Sequence, residues 1–379
     1  MNTNIGYAFY QDYYADLNFL WKGGKHIAVF DGTEKNEQLF AQKWSTSDGE
    51  VAKRYTDQLQ NESIELQTVY PGLLIGSGYQ HEILSGEKDD NGDAYVQNEL
   101  KLGFHFDYTT GLPVIPGSSV KGAIRSAFEF ETGYIVELLD EICKEDATWT
   151  ALNTGQKRSI VDALEQTLFE HDGERCVYER DIFLDAFPVA TGHRKGLFLG
   201  NDYITPHDSP LKSPNPVQFL KVLPQVSYHF AFRLSDSSIT ADQVTMTFLR
   251  AHKTNLFLAI LKDFGVGAKT NVGYGQLEEL DSHLPNLESL SLKDRVNCKI
   301  EKAIYRENED KYQIYLIPEV KGYTEFLKQL GKPFPSVKIS KGGNTRALKA
   351  MEEDAIVYCF VNRIGDDKRI FFKNFIEFQ

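Results

Sequence analysis

The sequence predicts an α+β fold, with a core of strands and amphipathic helices followed by a separate strand-rich piece. Runs of β-branched and aromatic residues with a period of two, typical of strands, occur between segments with helical apolar spacing. The chain has 379 residues, of which 41% are hydrophobic and 25% charged, which is enough for two or three domains. Beyond Leu284 the composition shifts toward basic strand segments. We therefore expect an N-terminal extension over residues 1–60, a core over 61–284 and a C-terminal basic α+β or β-rich extension over 285–379.

The N-terminal half begins with a polar, aromatic-rich segment that lacks a sustained period, and we expect short helices and loops there. Residues 64–78 predict a first strand that bends at Pro71 and Gly72. Residues 99–108 alternate between apolar and polar side chains, which predicts a half-buried strand with His105 on the polar face.

A helix is predicted to begin near Ser118. Pro113 and Pro116 favour an extended chain, and Ser118 is placed to cap the helix after Gly117. Its apolar face consists of Val120, Ala123, Ile124, Ala127 and Phe128. Ser118, Ser119 and Lys121 lie in the first turn, where backbone N–H groups and the helix dipole favour an anion.

The remaining elements follow from the same periodicities. Residues 130–174 predict an acidic helical insertion, and strands are expected at 180–187, 196–204 and 219–234. Thr240 and Gln243 have capping-box spacing, so a helix is predicted over 240–264, ending at Gly265. The tail contains the strand-like runs IYLI, SVKI, AIVYCFV and RIFF.

Charge is segregated along the chain. The formal net charge of 41 minus 54, or −13, disfavours a broad polyanion-binding surface. Residues 129–174 carry 3 basic and 12 acidic residues, a net of −9. Residues 185–275 contain no glutamate and have a net charge of 9 minus 6, or +3, and residues 295–379 have 16 minus 12, or +4. A local groove for a polyanion therefore remains compatible with the sequence.

Several classes of protein are disfavoured. The longest wholly apolar run, residues 355–361, is much shorter than a membrane span, so no membrane partner is expected. The N-terminus lacks the pattern of a secretory signal, which favours the cytoplasm. The cysteines at 143, 176, 298 and 359 have no ligand spacing, so we expect neither disulfides nor a metal, and no cofactor.

The glycine-rich segment 265–275 follows a predicted helix, which is the wrong context for a dinucleotide fingerprint, and its glycine spacing differs from that of a phosphate-binding P-loop. With little side-chain bulk it is suited to lie against a sugar-phosphate chain, with Lys269 and Tyr274 available for phosphate contact and base stacking. The alternative is a turn whose glycines serve only close packing.

Residues 191–196 lie between two predicted strands and are expected to form a hairpin tip that presents His193, Arg194 and Lys195 to phosphate. A plain solvated turn is the alternative. His105 and His193 lack any nucleophile or metal-ligand pattern in their surroundings.

Four segments in order resemble the RAMP superfamily of CRISPR proteins, and most of all the family of sixth subunits of type III-B Cmr effector complexes. The segments are YPGLLIGSG at 70–78, FDYTTGLPVIPGSSVKG at 106–122 with Arg125, FLDAFP at 183–188, and GVGAKTNVGYG at 265–275. The resemblance covers about residues 64–280.

This resemblance implies a modified ferredoxin-like, RRM-like core and a non-catalytic role. Such subunits cap a stack of related RAMP subunits, including the backbone subunit, hold guide RNA toward its 3′ part and help present complementary target RNA in antiviral defence. Lys121 and Arg125 are implied as phosphate contacts or supports of the RNA groove, and Ser118 and Ser119 as donors at the helix start. The loop residues implied to lie beside RNA are Gly265, Gly267, Lys269, Thr270, Gly273, Tyr274 and Gly275.

Two other functions remain open from the sequence. One is a metal-independent endoribonuclease that processes guide RNA, with His105 or His193 as general base or acid. The other is a protein scaffold without RNA contact.

Overall fold

The computed structural model describes most of the chain, in two compact units, Met1–Leu280 and Asp281–Gln379. The described residues are 4–78, 81–83, 87–130, 132–170, 180–193, 195–205, 216–280, 290, 292–306, 310–320, 323–324, 327, 332–340, 357–365 and 369–378. Both units combine strands with apolar cores of their own. The predicted α+β class is confirmed.

The N-terminal segment is part of the main core. Its elements are α1 (Ile5–Tyr7), a π-helical turn (Ala8–Asp12), β1 (Asn18–Lys22), β2 (Lys25–Asp31), α2 (Thr33–Phe40) and α3 (Thr46–Asp57). Strands β1 and β2 form an antiparallel hairpin, whereas the sequence predicted only short helices and loops in this segment. Phe9, Tyr13 and Phe30 are buried in the same core cluster as the central sheet.

The rest of unit 1 follows in chain order. Its elements are β3 (Glu62–Thr68), β4 (Val96–Gln97), α4 (Gly117–Phe130), α5 (Thr132–Ile142), α6 (Ala147–Thr150), α7 (Thr154–Phe169), β5 (Ile182–Phe183), β6 (Phe187–Thr191), β7 (Leu199–Ile204), β8 (Val217–Val222), β9 (Val226–Arg233), β10 (Ser237–Ala241), β11 (Val244–Phe248), α8 (Arg250–Phe264), a 3-10 turn (Thr270–Val272) and β12 (Leu277–Glu279).

The central sheet has a ferredoxin-like arrangement. Its strand order is β12-β3-β9-β5. Strand β6 also pairs with β9, at Val226 to His229, next to the part of β9 that pairs with β5. All of these pairs are antiparallel. Helix α4 follows the first strand of this set and α8 follows the third, and the two helices pack on each other and on the sheet. This is the β-α-β-β-α-β order of a ferredoxin-like core, so the predicted RRM-like core is confirmed, with α5, α6 and α7 inserted after α4.

The helix predicted over 240–264 starts ten residues before the helix that the structure shows. The structure places a hairpin of β10 and β11 first, and α8 begins only at Arg250. Asp242 and Gln243 both have positive φ, at 48° and 64°, as in the two-residue turns that join twisted strands. The spacing of Thr240 and Gln243 resembles a capping box, but Thr240 pairs with Thr245 across the hairpin.

Residues 99–108 do not form a strand of a sheet among the described residues. The predicted alternation is present, because Leu100, Phe104 and Phe106 are buried and packed around Phe9. The backbone of this segment makes isolated bridges, at Leu102 and between Phe106 and Pro113, and joins no continuous ladder. His105 therefore lies on the opposite side of an extended segment that packs directly on the core.

Unit 2 is a five-stranded antiparallel sheet in the order β15-β14-β13-β16-β17. The strands are β13 (Arg295–Arg306), β14 (Lys311–Pro318), β15 (Ser336–Ser340), β16 (Val357–Ile364) and β17 (Ile370–Phe378). The four strand-like runs predicted in the tail are confirmed as β14 to β17. Cys298 and Cys359 are free thiols in this core, Cys143 is free in unit 1, and Cys176 lies outside the described residues. Within the described part of the chain, no helix is long and apolar enough to cross a membrane.

Candidate nucleic-acid interface

Pro116 and Gly117 determine where α4 starts. The carbonyl of Pro116 accepts hydrogen bonds from the N–H groups of Ser119 and Val120, at 2.8 and 3.0 Å. The helix therefore begins at Gly117, and Ser118 lies inside its first turn rather than at the predicted cap. Ser118 and Ser119 are both exposed, so their hydroxyls face solvent at the helix start.

A carboxylate of the chain itself already binds this helix terminus. The N–H of Gly117 donates to Asp185 Oδ1 at 2.6 Å. A Cβ on Gly117 would lie 2.2 Å from the carbonyl oxygen of Phe183, so this residue must be glycine for the two segments to meet. Asp185 thus neutralises part of the terminus that sequence reasoning assigned to an external anion.

The glycine-rich loop closes on itself. The N–H of Val266 donates to the carbonyl of Gly275 at 2.9 Å, and a Cβ on Gly275 would lie 1.8 Å from the carbonyl oxygen of Val266. Gly275 also has a φ of 74°. Close packing therefore explains this glycine, as the alternative interpretation of the sequence proposed.

The same loop is tied to the YPGLLIGSG segment. The N–H of Ala268 donates to Leu74 and that of Gly275 donates to Gly72, both at 2.8 Å. The N–H groups of Val272 and Gly273 donate to carbonyls within the loop. These N–H groups are not available to a ligand. Fewer backbone N–H groups of the loop can therefore contact a phosphate than the sequence predicted.

A cleft of about 400 Å³ opens where the motif-bearing segments meet. Its walls come from residues 75–78, from His105, from the stretch before and inside α4, and from Gly267 and Ala268. Ser77, Ser119 and Ala123 give it low, mostly uncharged walls. Lys269 and Thr270 follow Ala268 directly and are half-buried, and Gly267 is exposed. Sequence segments separated by about two hundred positions thus form one concave surface with little side-chain bulk.

His105 lines this cleft and was considered from the sequence only as a possible acid or base. Burial lowers the pKa of His105 below its ordinary value. The nearby carboxylates of Asp185 and Asp107 favour the charged imidazolium, but their effect is smaller than that of burial. The imidazole is therefore more often neutral near pH 7 than that of a solvent-exposed histidine.

Tyr274 does not reach the cleft surface. It is 6% exposed, its ring lies 5.8 Å from that of Phe219, and its hydroxyl donates to Asp202 Oδ2 at 2.8 Å. Lys221 donates to the same oxygen at 2.6 Å. The prediction that Tyr274 is available to stack on a base is wrong, because this side chain fastens the loop to the hairpin of β7 and β8.

Lys121 and Arg125 project from a different side of α4 than the cleft-lining Ser119 and Ala123. The ammonium of Lys121 lies 6.0 Å from the ring centre of Phe183. The guanidinium of Arg125 is within 3.5 Å of Glu129 and Glu165 and 3.3 Å from Glu170. Of the two roles implied for Arg125, support of the surrounding structure fits these contacts and direct phosphate contact does not.

The 191–196 segment is not the tip of a hairpin. Strand β6 pairs with β9, whereas β7 pairs with β8, so the segment joins two different sheets. His193 is half-buried and its Nδ1 accepts from the N–H of Lys195 at 3.4 Å. Lys195 is exposed, and Arg194 lies outside the described residues.

Tyr70 is a candidate contact that the sequence analysis missed. It is 84% exposed and immediately precedes Pro71 and Gly72, where the glycine loop is attached. A Cβ on Gly273 would lie 3.4 Å from Pro71 Cδ, so the loop passes directly beside this segment. An aromatic residue directly before a proline-glycine turn was the available signal, since such a turn tends to lie at the surface.

The described residues contain no group of three or more His, Cys, Asp or Glu side chains that could hold a metal ion. The polar side chains that line the cleft are the hydroxyls of Ser77 and Ser119 and the imidazole of His105.

Comparison with known proteins gives a family match over the core and several similar solved structures. The family model of the RAMP superfamily matches residues 65–278. Similar solved structures include a type III-B Cmr-beta determined bound to cognate target RNA, with 22% identity over 65% of this chain and 70% of that chain and a TM-score of 0.40. Cmr6 from Pyrococcus furiosus has 21% identity over 57% of this chain and 97% of its own, with a TM-score of 0.30. A chain of a type III-A Csm-crRNA-target RNA ternary complex has 18% identity, covers 36% of this chain and 40% of its own, and has a TM-score of 0.19. No curated protein matches the chain.

Proposed function

The chain belongs to the RAMP superfamily, and from this premise we propose that it is a non-catalytic RNA-binding subunit of a type III-B CRISPR ribonucleoprotein complex. In this role it caps a stack of related RAMP subunits. It holds the guide RNA toward its 3′ part and helps to present complementary target RNA, acting in the cytoplasm in antiviral defence.

The observation that carries this proposal is the cleft between the glycine loop and α4. Glycine, serine and alanine residues line much of it, together with His105 and three apolar residues, and Lys269 follows the lining residue Ala268 in the chain. A sugar-phosphate chain requires close backbone approach together with a few hydroxyl and cationic donors. Ser77 and Ser119 would supply the hydroxyls from the lining, and Lys269, one residue beyond it in the chain, would supply the cation.

The charge of the chain agrees with a subunit that works inside an assembly. With a formal net charge of −13, the isolated chain should bind RNA weakly. Arg125 is paired with Glu129 of its own helix and with Glu165 and Glu170 of the acidic insertion, so it does not add a phosphate contact. Affinity then depends on a few contacts here and on those of neighbouring subunits.

Ser119→Glu tests the cleft, because it adds a negative charge and a longer side chain to the wall without touching the core. Ser126→Glu is the matched control, since Ser126 is exposed on the same helix and does not line the cleft. We expect Ser119→Glu to lower the affinity of the assembled complex for guide RNA roughly tenfold, and Ser126→Glu to leave it unchanged. Equal effects of the two variants, or none, would contradict the proposal.

A guide-processing endoribonuclease is the second candidate, favoured by one observation: His105 lines the same cleft. A neutral imidazole there is suited to accept a proton from a ribose 2′-hydroxyl. Incubation of the chain with precursor repeat RNA in EDTA decides between the two. Products ending in a 2′,3′-cyclic phosphate that disappear in His105→Ala would replace the non-catalytic role with this activity.

A further inference from the structure

Unit 2 closes into a small barrel. The long strand β13 pairs with β16 through residues 295–298 and with β14 through residues 298–306. Its register shifts between Ile300 and Lys302, a bulge that bends the strand from one partner to the other. The outer strands β15 and β17 lie next to each other, so the order around the barrel is β13-β14-β15-β17-β16.

This order is that of the OB-fold, a five-stranded Greek-key barrel in which the first strand pairs with the second and the fourth. The interior is apolar and includes Ile314, Leu316 and Val337, while the alternate residues of the same strands face outward. The RAMP family model ends at residue 278, so this barrel lies outside the matched region.

We propose that unit 2 binds single-stranded RNA on the outer face of β13, β14 and β15. Fold similarity alone assigns no ligand, and the proposal rests on the side chains of this face. We define the basic face by Lys302, Arg306, Lys311, Gln313, Tyr315 and Lys338.

Charge is the first argument for this ligand. The basic face carries four Lys or Arg residues, and the one carboxylate on the three strands, Glu301, has its Oε1 3.8 Å from Lys302 Nζ. The chain as a whole has a charge of −13. Lys302, Arg306, Lys311 and Lys338 are all exposed. A cationic face on an acidic protein is complementary to a polyanion.

The register places these cations in rows. Lys302 is opposite Tyr315, and Arg306 is opposite Lys311 on the neighbouring strand. Gln313 is opposite Lys338 on the other side. Lys302 and Arg306 lie four residues apart on β13, about 14 Å along the strand, while Lys311 lies on β14 and Lys338 on β15, so the cations are spread over three adjacent strands that a nucleic-acid strand can cross.

The centre of the face carries an aromatic ring and ordered polar groups. The ammonium of Lys302 lies 4.8 Å from the ring centre of Tyr315. Gln313 Oε1 accepts from Arg306 Nε at 2.9 Å, and Gln313 Nε2 donates to Ser336 Oγ at 2.8 Å. An aromatic ring beside a cation is suited to unstacked bases and not to a duplex, whose bases are already stacked. This favours a single strand.

The test uses the full chain in a Ser119→Glu/Lys269→Ala background, so that binding at the cleft does not contribute. The probe is a fluorescent oligouridine of about 12 nucleotides, within the range that one OB-fold covers. Lys302→Glu/Lys311→Glu is compared with Lys293→Glu/Lys332→Glu, which makes the same charge change at exposed lysines of unit 2 outside the basic face. Tyr315→Leu is compared with Tyr315→Phe.

We expect the first double variant to lower oligouridine affinity at least tenfold and to reduce the slope of log affinity against log salt by about 1.4, because two phosphate contacts are lost. The control pair should change neither. Tyr315→Leu should lower affinity several-fold while Tyr315→Phe retains it.

Three outcomes would overturn the proposal. They are the absence of oligouridine binding by the background chain, equal losses in the two double variants, and competition by polyglutamate at the same charge concentration as oligouridine. The last would identify a surface for acidic protein segments. Because the cleft is already altered in every variant, failure here leaves the proposed function of unit 1 untouched, and failure of that function leaves this result interpretable.

Discussion

The two surfaces that we propose bind RNA, the cleft of unit 1 and the basic face of unit 2, are built in different ways. The cleft is made by backbone geometry: its glycines pack against carbonyls, and Asp185 neutralises the nearby helix start. The basic face is made by exposed cations on regular strands. We infer that the cleft selects by shape and adds little electrostatic affinity, whereas the face contributes salt-sensitive affinity with little demand on shape.

This difference has a consequence for mutation. The glycines of the cleft and of the adjoining loop are packed against backbone atoms, so changing them should reduce stability. Residues on the basic face contact few core side chains, so changing them should alter binding alone. The predictions below probe this contrast.

The largest effect is expected for Gly275→Ala in the glycine loop. The added methyl group would meet the carbonyl oxygen of Val266, in a residue with a φ of 74°. We expect a loss of about 3–5 kcal/mol in the free energy of unfolding of unit 1, measured by denaturant titration. Gly24→Ala is the matched control, because Gly24 also has a positive φ but has nothing within 4 Å of its added Cβ. It should cost about 1 kcal/mol, and equal losses would show that the steric argument is wrong.

A smaller loss of stability is expected for Tyr274→Phe. The variant removes the hydroxyl that donates to Asp202, a hydrogen bond to a charged group worth about 2 kcal/mol. Denaturant titration at neutral pH measures it. Tyr203→Phe is the control, since Tyr203 is 56% exposed and its hydroxyl has no such partner among the described residues.

The same contact predicts a pH dependence. Burial raises the pKa of Asp202, but the hydrogen bonds from Lys221 and Tyr274 outweigh it, so the folded-state pKa lies below the ordinary value. The stability that this carboxylate contributes is present above its unfolded pKa of about 4 and is lost as the pH falls through the lower folded-state pKa. Stability measured between neutral and acidic pH should therefore decline less in Tyr274→Phe than in the wild-type chain. An identical decline would exclude this linkage.

The smallest effect is expected for Tyr70→Ala beside the cleft. Tyr70 is 84% exposed, so the free energy of unfolding should change by less than about 0.5 kcal/mol. If its ring stacks on a base, guide-RNA affinity of the assembled complex should fall by about 1 kcal/mol, with Tyr70→Phe unaffected. Tyr55→Ala, at another exposed tyrosine, is the control. Loss of affinity in Tyr55→Ala but not in Tyr70→Ala would remove Tyr70 from the interface.

Local patterns in the sequence predicted much of the fold. The apolar face of α4 and the runs that become β14 to β17 are visible because burial on one face imposes a period of 3.6 or 2. The 240–264 helix was predicted ten residues too long because Thr240 and Gln243 mimic a capping box. Only the pairing of Thr240 with Thr245 distinguishes a hairpin from a helix start there.

The sequence identified the segments that form the candidate site, but not the surface that they make together. Sequence motifs identified the glycine loop and the α4 start, and both line the cleft. The burial of Tyr274 and the pairing of Arg125 with Glu165 and Glu170 depend on partners 40 to 72 positions away. No local pattern carries that information.

The sequence by itself determined the class of fold, the family and the segregation of charge, because periodicity, motif spacing and residue counts are properties of neighbours along the chain. The tertiary structure alone decided which donors are already used, which aromatic rings are exposed, and that the strands of the tail close into a barrel with a basic face. Those properties depend on contacts between distant segments, which burial and hydrogen bonding select only when the whole chain has folded.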